Sequence, residues 1–87
     1  MPDERELAVH DLLFFIIRSL VDYPHEVRID ADWGDDGAIF TIRVNPADVG
    51  KLIGKQGRSA RALRTLLIAA GAKLHRRFLI EIDNESE

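Results

Sequence analysis

The sequence predicts an α+β fold in the order α-β-β-α-α-β, a three-stranded mixed sheet with three helices on one face. Three observations carry that expectation. Apolar residues recur at helical spacing over 4–21, and period-two alternation flanks the turn-rich stretch WGDDG at 33–37. A second helical pattern is then split by GKQG at 54–57 before a final alternating run.

The first helix spans 4–21, where Leu13, Ile16 and Leu20 repeat at spacings of three and four and Val9 and Leu12 widen the stripe. Phe14, Phe15 and Ile17 fall partly outside it, so this helix is apolar over more than one face. Part of that surface serves the core, and the rest is a candidate interface for a partner.

In the hairpin, Val27, Ile29 and Ala31 alternate with charged residues, then Ile39, Thr41 and Arg43 alternate against Phe40, Ile42 and Val44. Asp36-Gly37 supplies the turn chemistry. Asp35 and Asp36 have no companion ligand nearby in sequence and read as a solvated turn, not a metal site. Trp33 is either a base-stacking aromatic or a partly buried turn residue.

A short helix opens at NPADVGKLI: Asn45 caps it, Pro46 suits the first helical position, and Asp48 complements the dipole. Gly50 within it is expected to permit close packing. After GKQG the next helix runs from about Arg58 to Ala70, with Leu63, Leu66, Leu67 and Ala70 on one side and Arg58, Arg61 and Arg64 on the other. Gly71 is expected to close it as a C-cap. The last strand is RFLIEID at 77–83. A helical crossover between the second and third strands implies that they run parallel.

At 87 residues the chain has room for one domain, placed at 1–84, with a loose tail at 85–87. With no cysteine, disulfide, thiolate-zinc and cysteine-nucleophile chemistry are excluded. MPDERE is acidic where a signal peptide needs basic residues, and LLFFII at 12–17 is too short to span a bilayer, so a cytoplasmic location without membrane contact is expected.

The net charge of −3 conceals a strong asymmetry. Residues 1–48 carry eleven acids and four bases, whereas 49–80 carry eight bases and no acid. A local field of one sign attracts a polyanion whatever the overall charge.

Gly54, Lys55, Gln56 and Gly57 form the central motif. A nucleotide P-loop is excluded, because Gly50 to Gly54 encloses three residues instead of four and Gln56 stands where a magnesium-binding hydroxyl belongs. A helix-GxxG-helix turn fits better. The two glycines allow positive φ and a close approach, so backbone N–H groups and the Lys55 ammonium can meet one phosphate. A GxxG match alone is weak; the helix on each side, Ile53 before it, Arg58 after it and the acid-free flanks strengthen it.

VGKLIGKQGRSARALR at 49–64, within the α-β-β-α-α-β order, resembles a type II KH domain, and the whole chain resembles the small stand-alone bacterial KhpA-like KH proteins. That resemblance implies binding of single-stranded RNA or DNA, with the GxxG loop clamping about four nucleotides. It makes Gly54, Lys55, Gln56 and Gly57 the clamp. Ile53, the start of the following helix and Val44 become the apolar floor, and Lys51, Arg58 and Arg61 the electrostatic edge. Arg64, Arg76 and Arg77 either extend the path or are structural. The family's variable loop falls near 72–76 and is short. The resemblance further implies RNA chaperoning, a role in cell growth and shape, and a homodimer or a heterodimer with a Jag/KhpB-type KH protein. A protein-interaction adaptor is the rival reading. No cofactor is implied, and an enzyme is not expected, because His10, His25 and His75 sit on separate elements without Ser/Asp partners.

Overall fold

The computed structural model describes residues 2–83 and bears out the expected α-β-β-α-α-β order. Helix α1 is Glu4–Leu20, strand β1 Arg28–Trp33 and strand β2 Gly37–Arg43. Helix α2 is Val49–Ile53, helix α3 Arg58–Leu74 and strand β3 Arg77–Ile82. The tail expected at 85–87 lies outside the described residues. Among them no helix is long and apolar enough to cross a membrane.

Helix α1 starts where Asp3 accepts a hydrogen bond from the Glu6 amide (2.9 Å) while Glu6 Oε1 accepts one from the Asp3 amide (3.1 Å). This reciprocal box satisfies two donors left over at the helix start. The Glu6 amide favours the ionised carboxyl of Asp3, holding it below its ordinary pKa. The other Glu6 oxygen, Oε2, accepts from Arg76 Nε at 3.1 Å and ties the start of α1 to the turn before β3.

The sheet order is β1-β2-β3, with β1 and β2 antiparallel and β2 and β3 parallel, as the crossover required. Ala31 opposes Phe40, which opposes Ile80, so the apolar positions of all three strands share the helix-covered face. Phe40 is fully buried at its centre, with the Trp33 ring edge-on at 5.6 Å and the Phe78 ring at 5.8 Å. Leu13 and Ile17 of α1, Leu52 of α2, and Leu63 and Leu67 of α3 close over it. Trp33, the last residue of β1, is therefore a partly buried aromatic packed on the core.

Several local expectations are corrected. Helix α3 does not stop at Ala70 but runs to Leu74, and Gly71 is a buried interior residue. The reason is a close approach: a Cβ on Gly71 would strike the carbonyl oxygen of Arg76 as the chain turns back. The cap is His75, in the left-handed region at φ 59°. The connection to β3 is thereby reduced to His75 and Arg76, shorter than the 72–76 loop expected. Leu63, Leu66, Leu67 and Ala70 do share one side of α3, lining a groove against α1, but Leu66 at its margin is 54% exposed. Asp48 stands at the start of α2, where it was expected to complement the dipole, and has a further role. It is completely buried, and its two oxygens accept the amides of Asp22 and Tyr23 at 3.0 Å each.

Candidate nucleic-acid interface

The segment that carries the motif is built from its first residue. Asn45 Oδ1 accepts the Ala47 amide at 2.8 Å, and Pro46 begins a single tight turn that leads into α2. Buried Asp48 then fastens the start of α2 to the chain leaving α1. Helix α2 is only five residues long, so this anchoring, more than helix propensity, aims its far end.

At that far end the backbone bends sharply. Gly54 has φ 83° and Gly57 φ 75°, and Gln56 between them also has positive φ, at 59°. Gly54 further allows a close contact: an added Cβ would lie 2.7 Å from the Ser59 amide nitrogen, besides striking its side chain. Two of the four loop amides are engaged internally, Gly54 to the Gly50 carbonyl (2.8 Å) and Gly57 to the Gly54 carbonyl (3.0 Å). The amides of Lys55 and Gln56 have no partner among the described residues, and both side chains are exposed. The glycines thus shape the bend, while the donors belong to Lys55 and Gln56. This division was hidden in the motif, whose spacing shows where glycine stands but not which amides its turn consumes.

The cations gather as expected in part. Arg58 Nη2 donates to Gln56 Oε1 at 3.3 Å, and Arg61 Nη1 lies 3.3 Å from where a Gly57 Cβ would project. Both guanidinium groups therefore flank the bend. Lys51 is exposed but paired with Asp22 at 3.4 Å, an acid distant in sequence. Ile53 is half-buried at the end of α2 and outside the main core cluster, whereas half-buried Val44 packs against that cluster. Arg76 is held by Glu6, Arg64 and Arg77 are exposed, and Ser59 beneath Gly54 was not singled out by the sequence.

Gly50 does not serve close packing: nothing lies within 4 Å of the position a Cβ would take. Gly50→Ala is accordingly expected to raise stability by about 0.5–1 kcal/mol, by removing unfolded-state freedom at a helical position. Urea unfolding checks this, and a loss of stability would show that a Cβ is not accommodated there.

The three histidines stay apart. His10 lies beside the Phe14 and Phe40 rings, His25 is in the turn before β1, and His75 caps α3. Among the described residues no group of three or more His, Asp or Glu could hold a metal ion.

The family profile described as "KhpA/KhpB, KH domain" matches residues 10–82, which includes the bend and all three strands. The chain belongs to this KH-domain family. Curated KH relatives agree. RNA-binding protein KhpA of Borreliella burgdorferi is 49% identical over 72 residues, covering 83% of this chain and 88% of its own. RNA-binding protein KhpA of Aquifex aeolicus is 44% identical over 75 residues, covering 86% and 95%. That of Treponema pallidum is 47% identical over 72 residues, covering 83% and 90%. No solved structure matches the chain significantly.

Proposed function

We propose that this KH chain binds single-stranded RNA in the cytoplasm, holding successive phosphates at the Gly54–Gly57 bend. The observation that carries the reading is the pair of exposed, unengaged amides at Lys55 and Gln56, with Arg58 and Arg61 beside them. The names of the KhpA relatives support RNA as the polyanion. Lys55 adds its ammonium, Lys51 contributes once it is released from Asp22, and Ile53 offers apolar surface to a base. Nothing in such a clamp reads the 2′-hydroxyl, so single-stranded DNA is an alternative ligand of the same surface. No step of this function requires a reaction or a cofactor.

A clamp on three or four phosphates predicts weak, sequence-tolerant binding. Its log–log salt slope should be roughly −2 to −3, at about 0.7 per phosphate for a single strand. Titrating a labelled single-stranded RNA at several salt concentrations measures this. No binding at low salt, or a slope near zero, would refute the phosphate clamp.

A second reading is favoured by one further observation. Leu12 of α1 and Leu66 of α3 border an apolar groove between the two helices, and Phe15 is 61% exposed on α1. This surface suits a protein partner such as a second KH protein of the KhpB kind, and the family description names KhpA and KhpB together. A weak clamp gains affinity from such a partner by effective concentration, a setting that suits a low-specificity RNA chaperone.

A further inference from the structure

The turn that joins α1 to β1 lies at the same end of the sheet as the GxxG bend. It leads into Arg28 at the start of β1, which pairs with Arg43 at the end of β2, and the chain leaving β2 enters α2 and the bend. Helix α3 then carries the chain to the opposite end, where Arg77 pairs with Gly37 at the start of β2.

This turn is fastened to the α2 segment along its length. Asp48 accepts the Asp22 and Tyr23 amides at 3.0 Å each, Lys51 pairs with Asp22 at 3.4 Å, and Asn45 Nδ2 donates to Glu26 Oε1 at 3.0 Å. Pro24 adds stiffness by restricting the backbone of the residue before it. Turn and bend therefore share one frame, in which Tyr23 is held by its main chain.

The Tyr23 side chain takes no part in that frame. It is 48% exposed, and among the described residues neither its ring nor its hydroxyl has a hydrogen-bond or ring partner. Phe40 and Phe78 are core residues by contrast, and Phe14 and Trp33 pack against the core. A fixed main chain that carries an unpartnered ring is preorganised for stacking, because little beyond the ring's own torsions remains to be ordered. Lys51 stands between this ring and the bend. It precedes Gly54 by three residues, about 4.5 Å along the helix at 1.5 Å per residue, and its ammonium lies against the neighbour of Tyr23.

We propose that Tyr23 is a stacking platform for one nucleobase of the bound single strand, in a nucleotide beyond those clamped at the bend. The inference rests on the phosphate-clamp reading of Gly54–Gly57. The strand leaves Lys55, follows α2 past Lys51 and lays a base flat on the Tyr23 ring. Lys51 matches the Asp22 carboxylate, which would otherwise repel the adjoining phosphate. The neighbours Asp22, His25 and Glu26 are exposed polar groups, a setting that suits a base, flat on its face and polar at its edges, better than an apolar protein surface. Every base has a π-face, so the platform adds affinity without sequence preference.

Tyr23 is the chain's one tyrosine, so isotope-labelled tyrosine gives a single set of ring signals in nuclear magnetic resonance. An eight-nucleotide single-stranded RNA should move these signals upfield, as a base over the ring does, whereas a four-nucleotide RNA that fills only the clamp should not. Tyr23→Ala should weaken the eight-nucleotide complex about tenfold and leave the four-nucleotide complex unchanged. Tyr23→Phe keeps the ring and should bind as wild type does. Circular dichroism verifies the fold of each variant. Unmoved ring signals, or full eight-nucleotide affinity in Tyr23→Ala, overturn the platform and leave the clamp standing. An equal loss on both RNAs, or a loss in Tyr23→Phe as large as in Tyr23→Ala, overturns it too, since Tyr23 would then act through the bend or through its hydroxyl. If the wild type fails to bind the four-nucleotide RNA, or Lys55→Asp/Gln56→Asp binds both RNAs normally, the clamp reading itself falls and the platform with it.

Discussion

The Lys55→Asp/Gln56→Asp variant is expected to lose RNA binding while keeping the wild-type circular-dichroism spectrum and unfolding midpoint. The fold should survive because both side chains are exposed and neither makes a contact that the core uses. Gln56 has positive φ, and aspartate is among the residues that tolerate that conformation. Binding should not survive, because the two changes remove one cation and place two carboxylates at the unengaged amides. Each carboxylate near a phosphate costs roughly 1–2 kcal/mol at the effective dielectric of a protein surface. With the lost Lys55 contact, that amounts to a fall in affinity on the order of 100-fold or more. Titration with the same RNA reads the effect. Unchanged affinity in a folded double variant would remove the bend from the binding site.

Asp48→Ala should produce the largest loss of stability among the polar positions, about 3 kcal/mol. The side chain is fully buried and satisfies the Asp22 and Tyr23 amides, so truncation deprives both of their acceptor. The two hydrogen bonds are partly buried, and a hydrogen bond to a carboxylate contributes about 1.5–3 kcal/mol. For a domain of this size 1 kcal/mol moves the midpoint by about 4–8 °C, so thermal unfolding should begin well below the wild type. Asp48→Asn keeps one carbonyl oxygen and should fall between the two. A midpoint within a degree or two of wild type in Asp48→Ala would mean that water replaces the carboxylate and that the anchor is dispensable. RNA affinity measured where the variant is still folded should also drop, because α2 loses the attachment that aims the bend.

Much of the architecture was legible because it rests on local pattern. The period-two alternation around WGDDG and the helical repeats on either side of GKQG each bias a few neighbouring residues, and the helix between β2 and β3 forces those strands parallel. The loop was legible for the same reason, since two glycines three apart between helices leave few conformations open. What was misread depends on residues far apart in sequence. Gly71 looks like a stop signal, but its missing side chain makes room for Arg76 after the helix has ended. Leu66 stands on the expected side of its helix, but how far a helical position is covered depends on where the neighbouring helix lies. Lys51 counts as a free cation until the fold brings Asp22 to it.

By itself the sequence determined the element order, the strand directions, the position of the bend and the cationic, acid-free setting around it. All are consequences of residue type and short-range spacing. Only the tertiary structure decided which loop amides remain unspent, that Asp48 is an internal anchor, and that Leu66, Ile68 and Leu79 stay outside. Hydrogen-bond pairing and burial are settled by which surfaces meet, and two segments twenty or more residues apart carry no local record of that meeting.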